Sequence, residues 1–189
     1  MARLDLPRTF FQMPRFPGQL EGLGNKRKEY AERRVLGYSM EEMYAIIADV
    51  DKYKEFVPWC SDSRVTTRSE GQCRALLVIG FPPVTERYTS TVTLVPPLMV
   101  KSVCTEGKLF NHLVTVWQLS PAPSDNQRSC KLQFSVSFEF RTILHAQLAY
   151  VFFDEVVKSM VTAFLTRAKQ VYGPPSMPSS KPEVLIYRP

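Results

Sequence analysis

Cysteine, histidine and glycine are all scarce in this chain, and each shortage argues against a class of function. Its 189 residues hold four cysteines, two histidines and eight glycines. Cys60, Cys73, Cys104 and Cys130 are widely spaced, with no CxxC pair and neither histidine close by. Neither a disulfide framework nor a zinc site is indicated, and reduced thiols are the simplest reading. The sequence contains no GxGxxG, no phosphate-binding glycine loop, no GxSxG and no HExxH, so dinucleotide, nucleotide-phosphate, serine-hydrolase and zincin chemistry have no motif to stand on. No apolar run approaches the roughly 18 residues of a membrane span. The richest, "ALLVIGFPPV", stops at two prolines, so any work at a membrane would be done from its surface. One-sided charge is also missing where it would count. Of the formal +6, residues 1–30 carry +3, residues 31–173 carry +2 and the last sixteen carry +1. A nearly balanced middle argues against the clustered basic face that binds DNA or RNA.

Apolar and aromatic residues are plentiful. At 44% hydrophobic and 12% aromatic, the chain has enough to build one sizeable core. Pro7, Pro14 and Pro17 in front, and Pro174, Pro175, Pro178, Pro182 and Pro189 behind, mark the ends as tails around a compact middle. The expected division is a tail or targeting segment over 1–30, a domain over 31–173 and a C-terminal tail over 174–189. Arg3, Arg8 and Arg15 among Leu and Phe give the front a faint look of an organelle transit peptide, whereas Asp5, Glu21, three prolines and the lack of serine suit a plain tail. The last stretch, "SMPSSKPEVLIYRP", reads as flexible, although "VLIY" is apolar enough to dock.

Within the middle, "AERRVLGY" alternates loosely and leads to Ser39, with Glu42 three residues later: a capping box. The helix it opens, "MEEMYAIIADV", gathers Met40, Met43, Tyr44, Ile46 and Ile47 on one side. A second short turn, "VDKYKEF", must end before Pro58. From Ser63 to Phe140 the period changes to two. Six segments, "SRVTTRS", "CRALLVIG", "ERYTSTVTLV", "LMVKSVCTE", "HLVTVWQLS" and "KLQFSVSFEF", are separated by short turns and predict an antiparallel meander. The last of them sends Leu132, Phe134, Val136, Phe138 and Phe140 to one face, which is therefore dry. From Thr142 to Tyr172 there is neither glycine nor proline, and Gly173-Pro174-Pro175 then stops the helix. Its wide apolar stripe and its reach of about 45 Å suit a helix lying across the sheet. The class predicted is α+β: a curved antiparallel sheet of about six to seven strands wrapped around a long C-terminal helix, with two short helices after the first strand.

Candidate catalytic groups are few. His112 and His145 read as surface or hydrogen-bonded structural residues, and Asp154-Glu155 reads as a solvated helix face. No metal ligand set and no cofactor motif is present. Aromatic surface in quantity points to binding. Trp117, Phe134, Phe138, Phe152 and Phe164 line either a filled core or a cavity between helix and sheet. "EFVPWC" bears on that choice: a loop carrying Phe56, Val57 and Trp59 is costly if exposed and sensible as the cover of an apolar mouth.

"YSMEEMYAIIADVDKYKEFVPWCSDSRV" and "FFDEVVKSMVTAFLTRAKQVYG" resemble the coenzyme-Q-binding proteins of the START-like, polyketide cyclase-type superfamily, over about Arg33 to Gly173. The resemblance implies a helix-grip fold and a non-enzymatic lipid chaperone, peripheral on the matrix side of the mitochondrial inner membrane. It would hold ubiquinone or polyprenyl precursors for coenzyme Q biosynthesis and respiratory electron transport. Contacts with respiratory-chain or biosynthetic complexes would follow, and no nucleic acid. It further implies a ligand lying against Phe152, Val156, Met160 and Phe164 of the helix and Trp117, Phe134, Val136 and Phe138 of the strands, with Tyr44, Phe56, Val57, Pro58 and Trp59 at the entrance. A pocket of about 300–1,000 Å³ would take the ring and a few isoprene units. Two alternatives belong to the same fold. A ribosome-associated interaction module has a filled core, whereas a cyclase or aromatase needs a polar group in the cavity, first sought at Asp154, Glu139 and His145.

Overall fold

The computed structural model describes residues 27–81, 84–123, 125–141 and 143–189, with backbone alone at 81, 84, 143–152, 156 and 158. The segment read as a targeting sequence or tail therefore lies almost wholly outside the described residues. Eight strands, β1 (Arg27–Leu36), β2 (Cys60–Ser69), β3 (Gln72–Phe81), β4 (Val84–Val95), β5 (Met99–Gly107), β6 (Phe110–Pro121), β7 (Cys130–Phe140) and β8 (Glu183–Arg188), form one sheet ordered β2-β3-β4-β5-β6-β7-β1-β8. The pairs are antiparallel, as short turns between period-two segments require. The helices are α1 (Met40–Ala48), α2 (Tyr53–Phe56) and α3 (Ile143–Tyr172), with a 3₁₀ turn at Val50–Lys52 between the first two.

Local signals set the element ends. Ser39 Oγ accepts from the Glu42 N–H at 3.2 Å while the Ser39 N–H donates back to the Glu42 carboxylate at 2.9 Å, so the predicted capping box starts α1. At the far end of α3, Gly173 takes φ 78° and its N–H donates to the Lys169 carbonyl at 3.0 Å. Only glycine adopts that left-handed helix end without strain.

β7 alternates buried and half-buried residues along its whole length, and its inward side chains carry the helix. Phe138 faces Phe153 at 6.2 Å between ring centres, and Trp117 on β6 faces Phe164 at 4.5 Å. The helix thus lies on the dry face of the sheet. On β1 the same face is polar, since Tyr30, Glu32 and Arg34 sit opposite Val136, Phe134 and Leu132. Glu32 is 1% exposed, accepts from the Tyr30 hydroxyl at 2.6 Å and pairs with Arg34 at 2.7 Å, which satisfies a carboxylate that burial alone would penalise. This inward charge explains why "AERRVLGY" alternates only loosely.

The expected C-terminal tail supplies β8, which pairs with β1 and adds an eighth strand. The approach to it is tight. The Ser176 N–H donates to the Gly37 carbonyl at 2.8 Å, and a Cβ on Gly37 would collide with the Met177 backbone. Arg128 ties this corner together, bonding the Glu42 carboxylate at 3.0 Å and the carbonyls of Tyr172 and Pro174 at 3.0 and 3.1 Å. Arg128→Met is expected to lower the unfolding free energy by about 2 kcal/mol, measured in urea, because two α3-end carbonyls and a carboxylate lose a charged donor together.

Candidate functional site

The break at Pro58 is what opens room beside α3. α2 ends at Phe56, and Val57, Pro58, Trp59 and Cys60 form a turn closed by the Cys60 N–H to the Val57 carbonyl at 3.2 Å. Proline is second in that turn, and Trp59, third, has φ 62°. Those are the features of a type II turn, whose third position glycine or asparagine ordinarily fills. The Trp59 carbonyl accepts from the Gly80 N–H at 2.9 Å, so the strained residue is pinned to β3.

Behind this turn is a cavity of about 100 Å³. Val50, Tyr53 and Val57–Cys60 cover it, and Met160 and Phe164 of α3 form one wall. The floor is the inner face of the sheet: Leu77 and Ile79 of β3, Tyr88 and Val92 of β4, Val100 and Ser102 of β5, Phe110, Leu113, Thr115 and Trp117 of β6, and Phe134 and Val136 of β7. It is smaller than the volume expected from sequence because three rings occupy the middle. Trp117 lies 4.4 Å from Phe134 and 4.5 Å from Phe164.

Of the residues named from sequence, Val57, Pro58, Trp59, Trp117, Phe134, Val136, Met160 and Phe164 meet at this cavity. Phe56 does not line it. Its ring stands edge-on to Phe164 at 5.0 Å with the Arg167 guanidinium 5.5 Å above it, and Arg167 also pairs with Glu55 at 2.7 Å. It fastens α2 to α3. Tyr44 packs against the core from α1 without reaching the cavity. Phe138 is fully buried among Phe110, Phe140 and Phe153, because the sheet beyond Val136 is covered directly by α3. The side chains of Phe152 and Val156 lie outside the described residues.

Polar side-chain groups of the lining residues are hydroxyls, one thiol and the indole N–H groups of Trp59 and Trp117. Among the described lining residues none is a carboxylate, an imidazole or an amine. Glu139 stands on the outer face, accepting from Asn111 at 3.1 Å, Asp154 is exposed, and the His145 side chain lies outside the described residues. His112 is on the outer face too, 3.1 Å from the Ser137 hydroxyl, with burial and then Arg27 lowering its pKa. The carboxylate or imidazole sought there for cyclase chemistry is absent from the described lining residues. Among the described residues no His, Cys, Asp or Glu group could hold a metal, and no helix is long and apolar enough to cross a membrane.

Burial, and then Asp62, push the Cys60 thiol up to about 11, and burial does the same to Cys130, up to about 12. Thiolate, the reactive form, is thereby suppressed near neutrality. Iodoacetamide at pH 8 is expected to leave Cys60 and Cys130 unmodified in the folded protein and to label both in urea. Labelling of Cys60 at the rate of a free thiol would show that the cover does not shield it.

The polyketide cyclase / dehydrase and lipid transport family model matches residues 36–165. A Xenopus laevis protein named as a mitochondrial coenzyme Q-binding protein is 54% identical over 82% of this chain and 64% of its own length, so the chain spans about two-thirds of that relative. The ribosome association toxin of Pseudomonas aeruginosa is 32% identical over 74% of this chain and 94% of its own. Among solved structures, the Zhui aromatase/cyclase of a Streptomyces species superposes with a TM-score of 0.66 at 13% identity, over 76% of this chain and 94% of the other, which speaks for the fold alone. The chain belongs to the polyketide cyclase / dehydrase and lipid transport family, in the branch of the coenzyme Q-binding proteins.

Proposed function

We propose that this protein binds ubiquinone, or a polyprenyl precursor of it, between α3 and the sheet and acts as a lipid chaperone without chemistry at the ring. It would serve coenzyme Q biosynthesis and respiratory electron transport, in the mitochondrion and peripherally on the matrix side of the inner membrane. The observation that carries the reading is an apolar cavity, without a carboxylate, imidazole or amine among its described lining residues, beneath a turn that holds a tryptophan in a strained conformation. Its relatives named as mitochondrial coenzyme Q-binding proteins support ligand and compartment.

The volume sets how much of the ligand goes in. About 100 Å³ is room on the scale of one small ring. A polyprenyl tail would therefore pass out beside Val57–Trp59 and stay in the bilayer, unless the cover moves. Burial of the enclosed part contributes about 25 cal/mol per Å² of apolar area, which offsets extraction from lipid for that part only. The test is uptake. Delipidated protein mixed with vesicles containing ubiquinone, then separated by flotation, should retain quinone, and protein recovered without it would refute the proposal. The relative named as a ribosome association toxin motivates one further arm, co-sedimentation with ribosomes. Binding there with no quinone uptake would favour an interaction module.

A further inference from the structure

The cavity floor contains hydroxyls that its apolar character does not explain. Tyr53 and Tyr88 both face it, and burial raises the pKa of both, so each stays a neutral O–H donor. Tyr53 donates to the Ile47 carbonyl. Tyr88 makes no side-chain hydrogen bond among the described residues, its one ring contact being edge-on to Phe110 at 5.6 Å.

Ser102 and Thr115 also line the cavity and sit directly opposite each other on β5 and β6, a spacing of about 5 Å between Cβ atoms. Both residues are half-buried, and neither hydroxyl makes a hydrogen bond among the described residues. Ser90, which does not itself line the cavity, is a neighbouring case. It lies on β4 between the lining residues Tyr88 and Val92, on the same face, is 1% exposed, and its Oγ is buried with no hydrogen-bond partner. Packing gives no reason for this. An apolar side chain of the same size at any of these positions would fill the space without leaving a donor unmet.

We infer that Ser102 and Thr115, with Tyr88 beside them, are the ring anchor of the site: they donate hydrogen bonds to the oxygens of a quinone ring, which lies on β4–β6 while its tail leaves past Trp59. The chemistry fits the donors. A quinone ring offers oxygen acceptors and no charge, and this wall offers O–H donors and, among its described residues, no cation. An isoprenoid lacking the ring has nothing for them to bond. Specificity of this kind comes from polar groups that are left unpaired when the wrong ligand enters. The inference rests on the quinone reading proposed above.

The experiment compares two probes on the full chain: a ubiquinone carrying two isoprene units, and squalene, an isoprenoid hydrocarbon. The variants are the near-isosteric double substitution Ser102→Ala/Thr115→Val and, separately, Tyr88→Phe. The double variant should bind the quinone roughly tenfold more weakly, from two lost hydrogen bonds, and squalene no more weakly than the wild type does. Tyr88→Phe should show a smaller loss of the same selectivity. The carbonyl stretch of bound quinone should move toward its value in hydrocarbon solvent in the double variant, and the ligand-free melting midpoint should hold or rise. Unchanged quinone affinity, or an equal loss for both probes, overturns the anchor and leaves the cavity reading standing. Wild-type protein that takes up squalene but not quinone, or neither probe, overturns the quinone reading and the anchor with it.

Discussion

Phe164→Ala should cost about 3–5 kcal/mol of folding stability, the range for removing a buried phenyl ring, and should abolish quinone uptake at 37 °C. The ring is 1% exposed and is the point at which three parts of the fold touch. It meets Tyr53 and Phe56 of α2 at 5.3 and 5.0 Å, both edge-on, and Trp117 of β6 at 4.5 Å. Truncation leaves α2 attached to α3 chiefly by the exposed Arg167–Glu55 pair, which is worth little alone. Against a usual domain stability of about 5–15 kcal/mol, the variant would be marginal. A second readout identifies the cause. The void left by the ring joins an existing cavity, so benzene added to the buffer should raise the melting midpoint of the variant more than that of the wild type. A loss below about 1 kcal/mol with no benzene effect would mean that α3 is not seated on Trp117 as described.

The elements visible in the sequence are those whose pattern is local. The capping box at Ser39 and Glu42, the stop at Pro58, the one-sided β7 and the Gly173 end of α3 each depend on neighbours within a turn or on a period of two, and all are realised. β8 was less legible, because Val184, Leu185, Ile186 and Tyr187 are all exposed at 40–53% and such a strand shows no buried face to read. The cavity divides in the same way. Phe134 and Phe138 share a face and a residue type, yet only Phe134 reaches the opening, since which stretch of a strand the helix covers is decided by tertiary packing. Ser102 and Thr115 were missed for a different reason. β5 reads Val100, Ser102 and Cys104 on one face and Lys101, Val103 and Thr105 on the other, and neither set is apolar enough to declare itself the inside.

Trp59→Ala should reduce quinone uptake from vesicles at least tenfold while costing no more than about 2 kcal/mol of stability, the scale of a half-buried side chain. The reasoning starts from the backbone. A non-glycine residue in the left-handed region costs about 1–2 kcal/mol, and a turn selected for stability alone would carry glycine at this position. Tryptophan stands there with φ 62°, held by the Cys60 and Gly80 hydrogen bonds on either side, and its side chain covers the cavity. Strain maintained in this way is characteristic of a site where the side chain is needed in place. Trp59→Gly separates the two contributions. It removes the same indole and relieves the backbone, so it should be as stable as the alanine variant, or up to about 1 kcal/mol more stable after the extra chain entropy of glycine, with the same loss of uptake. If uptake and stability fall together in both variants, the indole is core and the turn is not a gate. If the alanine variant is clearly the more stable, the left-handed conformation is not what Trp59 adopts in solution. Parallel loss of uptake with the glycine variant at least as stable is the expected outcome, and it would make the tryptophan at the third position of the turn the residue that trades folding stability for control of the cavity mouth.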